Sequence, residues 1–138
     1  MGKTYDIVAL GELLVDFTPA GISENGMLLF ERNPGGAPVN MLTAAAKSGA
    51  KTAFIGKVGK DMHGLFLKDM TEGAGIDTSS LVLSEDAFTT LAFVELSNSG
   101  ERNFSFARKP GADTRLAYKE IKEELLADTK VFHIGSLS

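Results

Sequence analysis

The pattern of apolar and polar positions begins with YDIVALGELLVDFTP over residues 5–19, where a short apolar run, Ile7–Leu10, stops at Gly11 and a second segment is closed by Pro19. Continuous apolarity over so few residues predicts a fully buried strand. After the turn residues of PAGISENG, the segment MLLFER predicts a short strand ending at Asn33 and Pro34. The period then changes. APVNMLTAAAKSG predicts a helix over 38–48, with Pro38 at the first helical position, where its missing N–H costs nothing, and Gly49 in the left-handed cap beyond the last turn. KTAFIGKVG predicts another buried strand. Asp61 then caps a helix carrying Met62, Leu65, Phe66 and Met70 on one face, which Gly73 and Gly75 end.

Further along, AFTTLAFVEL and RNFSFAR, separated by SNSGE, predict a β-hairpin with a glycine-containing loop. Leu91, Phe93 and Glu95 fall on one side of it and Ala92, Val94 and Leu96 on the other, so both faces are expected to be at least partly covered. ADTRLAYKEIKEELLAD predicts a third helix with Leu116, Tyr118, Ile121 and Leu125 inward, and KVFHIGSLS closes with an apolar strand. Alternating strands and helices favour a mostly parallel α/β sheet with helices on both faces. The segments at about 12–33 and 88–108 are not needed by such a sheet and are expected to be inserted lid strands. Because the last strand stops where a βα unit would pass into its helix, the chain is expected to be the incomplete N-terminal part of one α/β domain.

Composition narrows the class. At 138 residues with 43% hydrophobic positions, the chain suits one modest domain with a buried core. No apolar run reaches the roughly 18 residues of a membrane span, and no basic flank leads into an apolar leader, so a cytoplasmic protein without membrane partners is expected. The absence of cysteine excludes disulfides and thiolate metal sites. His63 and His133 stand apart in sequence and are expected on a helix surface and in the core, respectively, rather than at a metal. A net charge of −4, spread along the chain, argues against nucleic acid.

Candidate chemistry centres on NPGGAPVN, residues 33–40. Adjacent glycines permit positive φ and close backbone approach, and the helix beginning at Pro38 aims its free N–H groups and partial positive end at whatever sits there. A phosphate loop would add the order G-x-x-x-x-G-K-[ST], which no Gly-Lys pair of the chain satisfies, and a dinucleotide fingerprint needs a glycine spacing that Gly11 and GKVGKDMHG lack. A neutral polar ligand remains. The amide of Asn40 both donates and accepts, the carboxylate of Asp16 accepts from paired hydroxyls, and a carbohydrate matches that set. The same residues also allow a simpler arrangement, a tight turn in which Asn40 helps to cap the helix.

GGAP followed by Asn40, Gly49 and Gly59 resembles the first signature of the ribokinase-like (PfkB) carbohydrate kinases, departing from it at Leu42, where the family has a small residue. GELLVDF, KVGKDMHGLFL, AGIDTSSL, TTLAFVEL, GERNFSFARKPGAD and FHIGSLS resemble fructokinase-type members in the same order, so the likeness spans nearly the whole chain. It implies a Rossmann-like domain with a small β lid, and ATP-dependent phosphorylation of a sugar, fructose first among them. Carried over residue by residue, Asp16, Gly35, Gly36 and Asn40 would hold sugar hydroxyls, and Phe104, Phe106 and Arg108 would line the pocket from the hairpin. ATP, Mg2+ and a monovalent cation are implied as cofactors, and a homodimer through the lid strands as an assembly.

The resemblance assigns no catalytic residue to this chain. The family's general base lies on a Gly-Ala-Gly-Asp turn, and EGAGID at 72–77 does not match it, since Ile76 intrudes; its glycines are expected to stop a helix and Asp77 to serve a turn. PGAD at 110–113 is expected to be a turn with Asp113 capping the third helix. Related kinases of 2-keto-3-deoxygluconate resemble YYR where this chain has FAR, so Phe106 tilts the reading to a neutral ketohexose while Arg108 keeps a sugar acid open. Arg108 could equally pair with Asp113. A nucleoside kinase of the same family, and a non-catalytic sugar-binding or oligomerisation module, are the alternatives.

Overall fold

Two sheets organise residues 2–135, the part of the chain described by a computed structural model. In chain order the elements are β1 (Tyr5–Leu10), β2 (Leu14–Ile22), β3 (Leu28–Gly35), α1 (Ala37–Lys47), β4 (Thr52–Gly59), α2 (Met62–Gly73), β5 (Ile76–Asp77), β6 (Leu81–Ser84), β7 (Leu91–Leu96), β8 (Arg102–Ala107), α3 (Glu123–Ala127) and β9 (Thr129–Ile134). The first sheet has the order β5-β4-β1-β9, with β6 also beside β4, and all its pairings are parallel. The second has the order β3-β2-β7-β8 and is antiparallel except where β2 meets β7. Among the described residues no helix is long and apolar enough to cross a membrane.

The parallel sheet is covered on both faces because its central strands are apolar at successive positions. Ala9 of β1 with Phe54 and Val58 of β4 pack under Val39 and Leu42 of α1 and Leu67 of α2. The alternate positions Val8, Ala53 and Ile55 pack under Leu125 of α3, with Leu116 and Ile121 beside them. Gly56 follows from the size of Phe54: a Cβ there would overlap the phenyl ring two residues back on the same face.

Several boundaries differ from those the pattern predicts. Pro19 does not close β2, which runs on to Ile22, because Pro19 lies beyond the stretch that pairs with β7 and beside a register shift against β3, where no ladder N–H is required. β3 continues through Asn33 and Pro34 to Gly35, held by its antiparallel partner rather than by propensity. α1 starts one residue earlier than predicted and ends at Lys47, with Gly49 at φ +93° beyond it. α2 turns a partly different face inward: of the predicted face Phe66 packs against the core, but Met62, Leu65 and Met70 are exposed, whereas Gly64, Leu67 and Thr71 are buried. Gly64 is selected there because the helix backbone sits close to the end of β4, and a Cβ on it would strike the Gly59 carbonyl, while Leu67 packs into the core.

The predicted third helix breaks into two single turns, Ala112–Thr114 and Tyr118–Glu120, before α3. Leu116, Ile121 and Leu125 still reach the core, but Tyr118 is exposed. Strands β5 and β6 escape the pattern because each is short and takes its backbone partners from β4, far away in sequence. In β9 the residues after Thr129 are exposed among the described residues, His133 among them, where burial was expected. Ser136–Ser138 of the predicted last strand lie outside the described residues.

Candidate functional site

The Gly35–Gly36 pair has two separate local causes. Gly36 precedes α1 at φ +121°, where a side chain is strained, and a Cβ there would lie 2.5 Å from the Glu12 carbonyl oxygen. Gly35 closes β3, and a Cβ there would overlap the Asp16 carboxylate and approach Leu14 Cδ1 to 3.2 Å. The turn therefore keeps Asp16 against bare backbone at the start of α1. Gly36 at the N-cap has no side chain to cap that helix, and its Ala37 N–H instead donates to the Glu12 carboxylate, at 3.4 Å from Oε1. Asn40 is thus free of the capping role that was open to it. It stands exposed in the first turn, and among the described residues its amide has no partner.

Asp16 sits mid-strand in β2, paired across to Asn33 of β3 on one side and Ala92 of β7 on the other, and Ala92 pairs in turn with Phe106 of β8. Residues directly opposite one another in a sheet present side chains on the same face, so Asn33, Asp16, Ala92 and Phe106 form one row. Phe104 lies two residues from Phe106 on that face, with the rings stacked at 6.1 Å. The small Ala92 is buried beneath its larger neighbours. Asp16 itself is half-buried, no donor among the described residues reaches its carboxylate, and burial raises its pKa above the usual range.

The opposite face of the second sheet is spent on packing. Phe17 stacks on Phe93 at 5.0 Å, and Phe30 meets Phe93 edge-on. The Arg32 guanidinium lies 3.9 Å above the Phe66 ring of α2. His63, expected on the surface of α2, instead meets Phe17 and Phe88 edge-on, with its Nδ1 buried. That aromatic face anchors the sheet to the body of the protein, while on the Asp16 face Phe104 and Phe106 are exposed and Ala92 and Val94 are buried.

Arg108 follows β8 and lies 5.8 Å from the Phe106 ring centroid. Its Nη2 donates to Asp113 Oδ2 at 2.5 Å, and Asp113 Oδ1 accepts from the Thr90 hydroxyl at 2.5 Å. Asp113 caps no helix; the turn at Ala112–Thr114 has no side-chain cap, and the carboxylate is buried under the hairpin. Phe88, Phe106, Ala107, Arg108, Lys109 and Pro110 line a cavity of about 400 Å³, whereas Asp113 borders a different one with Leu10, Gly11 and Thr114. The structure thus sets Gly35 and Gly36 against Asp16 and Glu12, whereas Asn40 borders a separate cavity with Pro34, Thr43, Met70 and Thr71, and Phe106 and Arg108 border the cavity at the end of β8, two strands from Asp16.

Elsewhere Asp61 caps α2, accepting from the N–H groups of His63 and Gly64 and from the N–H and hydroxyl of Thr89. Gly75, at positive φ, follows α2 as expected for EGAGID, but Asp77 ends strand β5 rather than standing in a turn, and its carboxylate accepts from the Ser79 N–H and the Tyr5 hydroxyl. Glu12 had not been singled out by sequence. It is buried and braces the glycine turn through both its carbonyl and its carboxylate; an acidic residue between the apolar runs of YDIVAL and LLV was the available signal. Among the described residues no three acidic or histidine side chains gather as metal ligands. One carboxylate and one amide suit hydroxyl groups, whereas a polyphosphate would call for positive charge.

Comparison with known proteins places these observations. Residues 5–138 match the model of the pfkB family of carbohydrate kinases. The chain is 42% identical over 139 residues to fructokinase-1 of Oryza sativa subsp. japonica, which covers 99% of this chain and 43% of that protein. Among solved structures it superposes on the fructokinase of Xylella fastidiosa with a TM-score of 0.88 and 37% identity, over 95% of this chain and 42% of that one. The fructokinase of that organism with bound ATP gives 0.85 and 36%, over 94% and 38%. The chain therefore spans about two fifths of the length of the relatives it matches.

Proposed function

The chain belongs to the pfkB family of carbohydrate kinases, and from that membership we propose that it supplies the sugar-binding part of a kinase that transfers the γ-phosphoryl group of ATP to a hydroxyl of fructose. The observation that carries the reading is the carboxylate of Asp16, which is half-buried and partnerless among the described residues and lies against the bare backbone of Gly35 in a row that ends at Phe106. A desolvated carboxylate without donors is a cost to the folded protein, and two sugar hydroxyls would offset it. Asn40 would donate to and accept from the same ligand, while Phe104 and Phe106 would give it an apolar wall as β7 and β8 close over it as a lid.

In-line phosphoryl transfer also needs a base for the sugar proton and positive groups around the γ-phosphate. The family supplies these from a Gly-Ala-Gly-Asp turn that this sequence does not contain, and ATP with Mg2+ would be held largely by that part. These 138 residues alone are accordingly expected to bind sugar without phosphorylating it. A cytoplasmic setting goes with this reading, and a second copy could pair along the open edges of β3 and β8, where Leu28, Leu29, Phe30 and Phe104 are exposed. Titration of the chain with fructose, followed by ligand-observed NMR, tests the binding; a silent titration would overturn it. ATP-dependent formation of a sugar phosphate by the same polypeptide in a coupled assay would overturn the expected inactivity.

A further inference from the structure

We propose that Asp113 sets the charge class of the sugar, admitting a neutral sugar over a sugar acid by holding Arg108 in a balanced ion pair. The inference rests on the reading of Arg108 as a wall of the sugar site. Asp113 is a positioning residue in this scheme, acting through Arg108 rather than on the ligand.

The pair is built rather than incidental. Asp113 has no exposed side-chain surface, whereas the Arg108 side chain keeps 25% of its own. Each carboxylate oxygen is committed, Oδ1 to Thr90 and Oδ2 to Arg108. Gly111 leaves room for this contact, since a Cβ there would overlap the Thr90 hydroxyl and lie 2.9 Å from Asp113 Oδ1. Arg108 Nε is buried and has no partner among the described residues, so the guanidinium is aimed by one strong contact at Nη2 and by the Phe106 ring. Thr90 and Asp113 come from opposite ends of the hairpin, and both are buried.

Charge follows from this geometry. A carboxylate removed from water acts on its neighbours with little screening, so the positive charge of Arg108 is largely cancelled before a ligand arrives. The free guanidinium N–H groups can still donate to a hydroxyl or keto oxygen. A ligand carboxylate would have to compete with Asp113 for Arg108 and would feel its repulsion across the guanidinium. Lys109 also borders the cavity, but it is exposed, where water screens its pull on an anion.

The test is a set of titrations of the chain with fructose and with 2-keto-3-deoxygluconate, using wild type, Asp113→Asn and Asp113→Glu, with folding checked by amide NMR spectra. Wild type is expected to prefer fructose. Asp113→Asn keeps the shape and the Thr90 contact but frees the charge of Arg108, and should move the preference toward the sugar acid by about tenfold or more. Asp113→Glu restores the charge and should restore the preference. If Asp113→Asn does not fold, Arg108→Gln probes the same balance, and should weaken the sugar acid more than fructose. An unchanged preference in Asp113→Asn, or equal losses for both sugars in Arg108→Gln, overturns the inference while wild-type fructose binding keeps the site reading intact. Wild type that binds neither sugar overturns both.

Discussion

At the residue scale, Asp16 sets stability against binding. Its folded pKa is raised by burial, so the ionised form costs stability: the full benefit is present below the unfolded value of about 3.9 and is lost as pH rises through the folded value. Asp16→Asn should therefore raise the denaturant midpoint near neutral pH and leave it unchanged near pH 3, while weakening fructose roughly 10- to 100-fold through the lost charge-assisted hydrogen bonds. Denaturant titrations at the two pH values, alongside a sugar titration, check both halves; a variant less stable at neutral pH would contradict the account. The sequence singled out Asp16 because a carboxylate stands in an otherwise apolar segment, and the structure shows that carboxylate half-buried. The Arg108 pairing was legible only as one of two options, since nothing in FAR or PGAD says which oxygen a guanidinium will face.

At the element scale, α2 depends on Asp61. Burial works to raise the pKa of this carboxyl, but hydrogen bonds from Thr89, Gly64 and His63 prevail and hold it below the usual range. A lowered folded pKa gives stability that is present above the unfolded value and lost as pH falls through the folded one. Asp61→Ala is expected to cost about 1–2 kcal/mol near neutral pH, as for other lost helix caps, with the difference from wild type shrinking in acid. Urea denaturation at pH 7 and at pH 2.5 measures it, and a deficit that stays constant with pH would rule out the carboxylate as its source. The cap was readable because it is local, a side chain meeting N–H groups two and three residues on. The buried face of α2 was not: hydrophobic spacing favoured Met62, Leu65 and Met70, but closeness to the Gly59 backbone selects Gly64.

For the whole molecule, Phe54 is the large fully buried side chain of β4, on the face shared by α1 and α2. Phe54→Ala should cost about 3–5 kcal/mol, a large share of the roughly 5–15 kcal/mol that holds a domain together. Its urea midpoint should fall with little change in slope, and fructose binding should fail at urea concentrations wild type tolerates; an unchanged midpoint would mean that the core is organised otherwise. The sequence by itself determined the buried parallel strands, α1, the cap of α2, the hairpin of β7 and β8 and the glycine turn, because each is encoded by neighbours a few residues apart. Tertiary structure alone decided the placement of β5 and β6, the breaking of the third predicted helix and the row from Asn33 to Phe106. Those depend on backbone partners, close approaches and register between segments tens of residues apart, which no local period records.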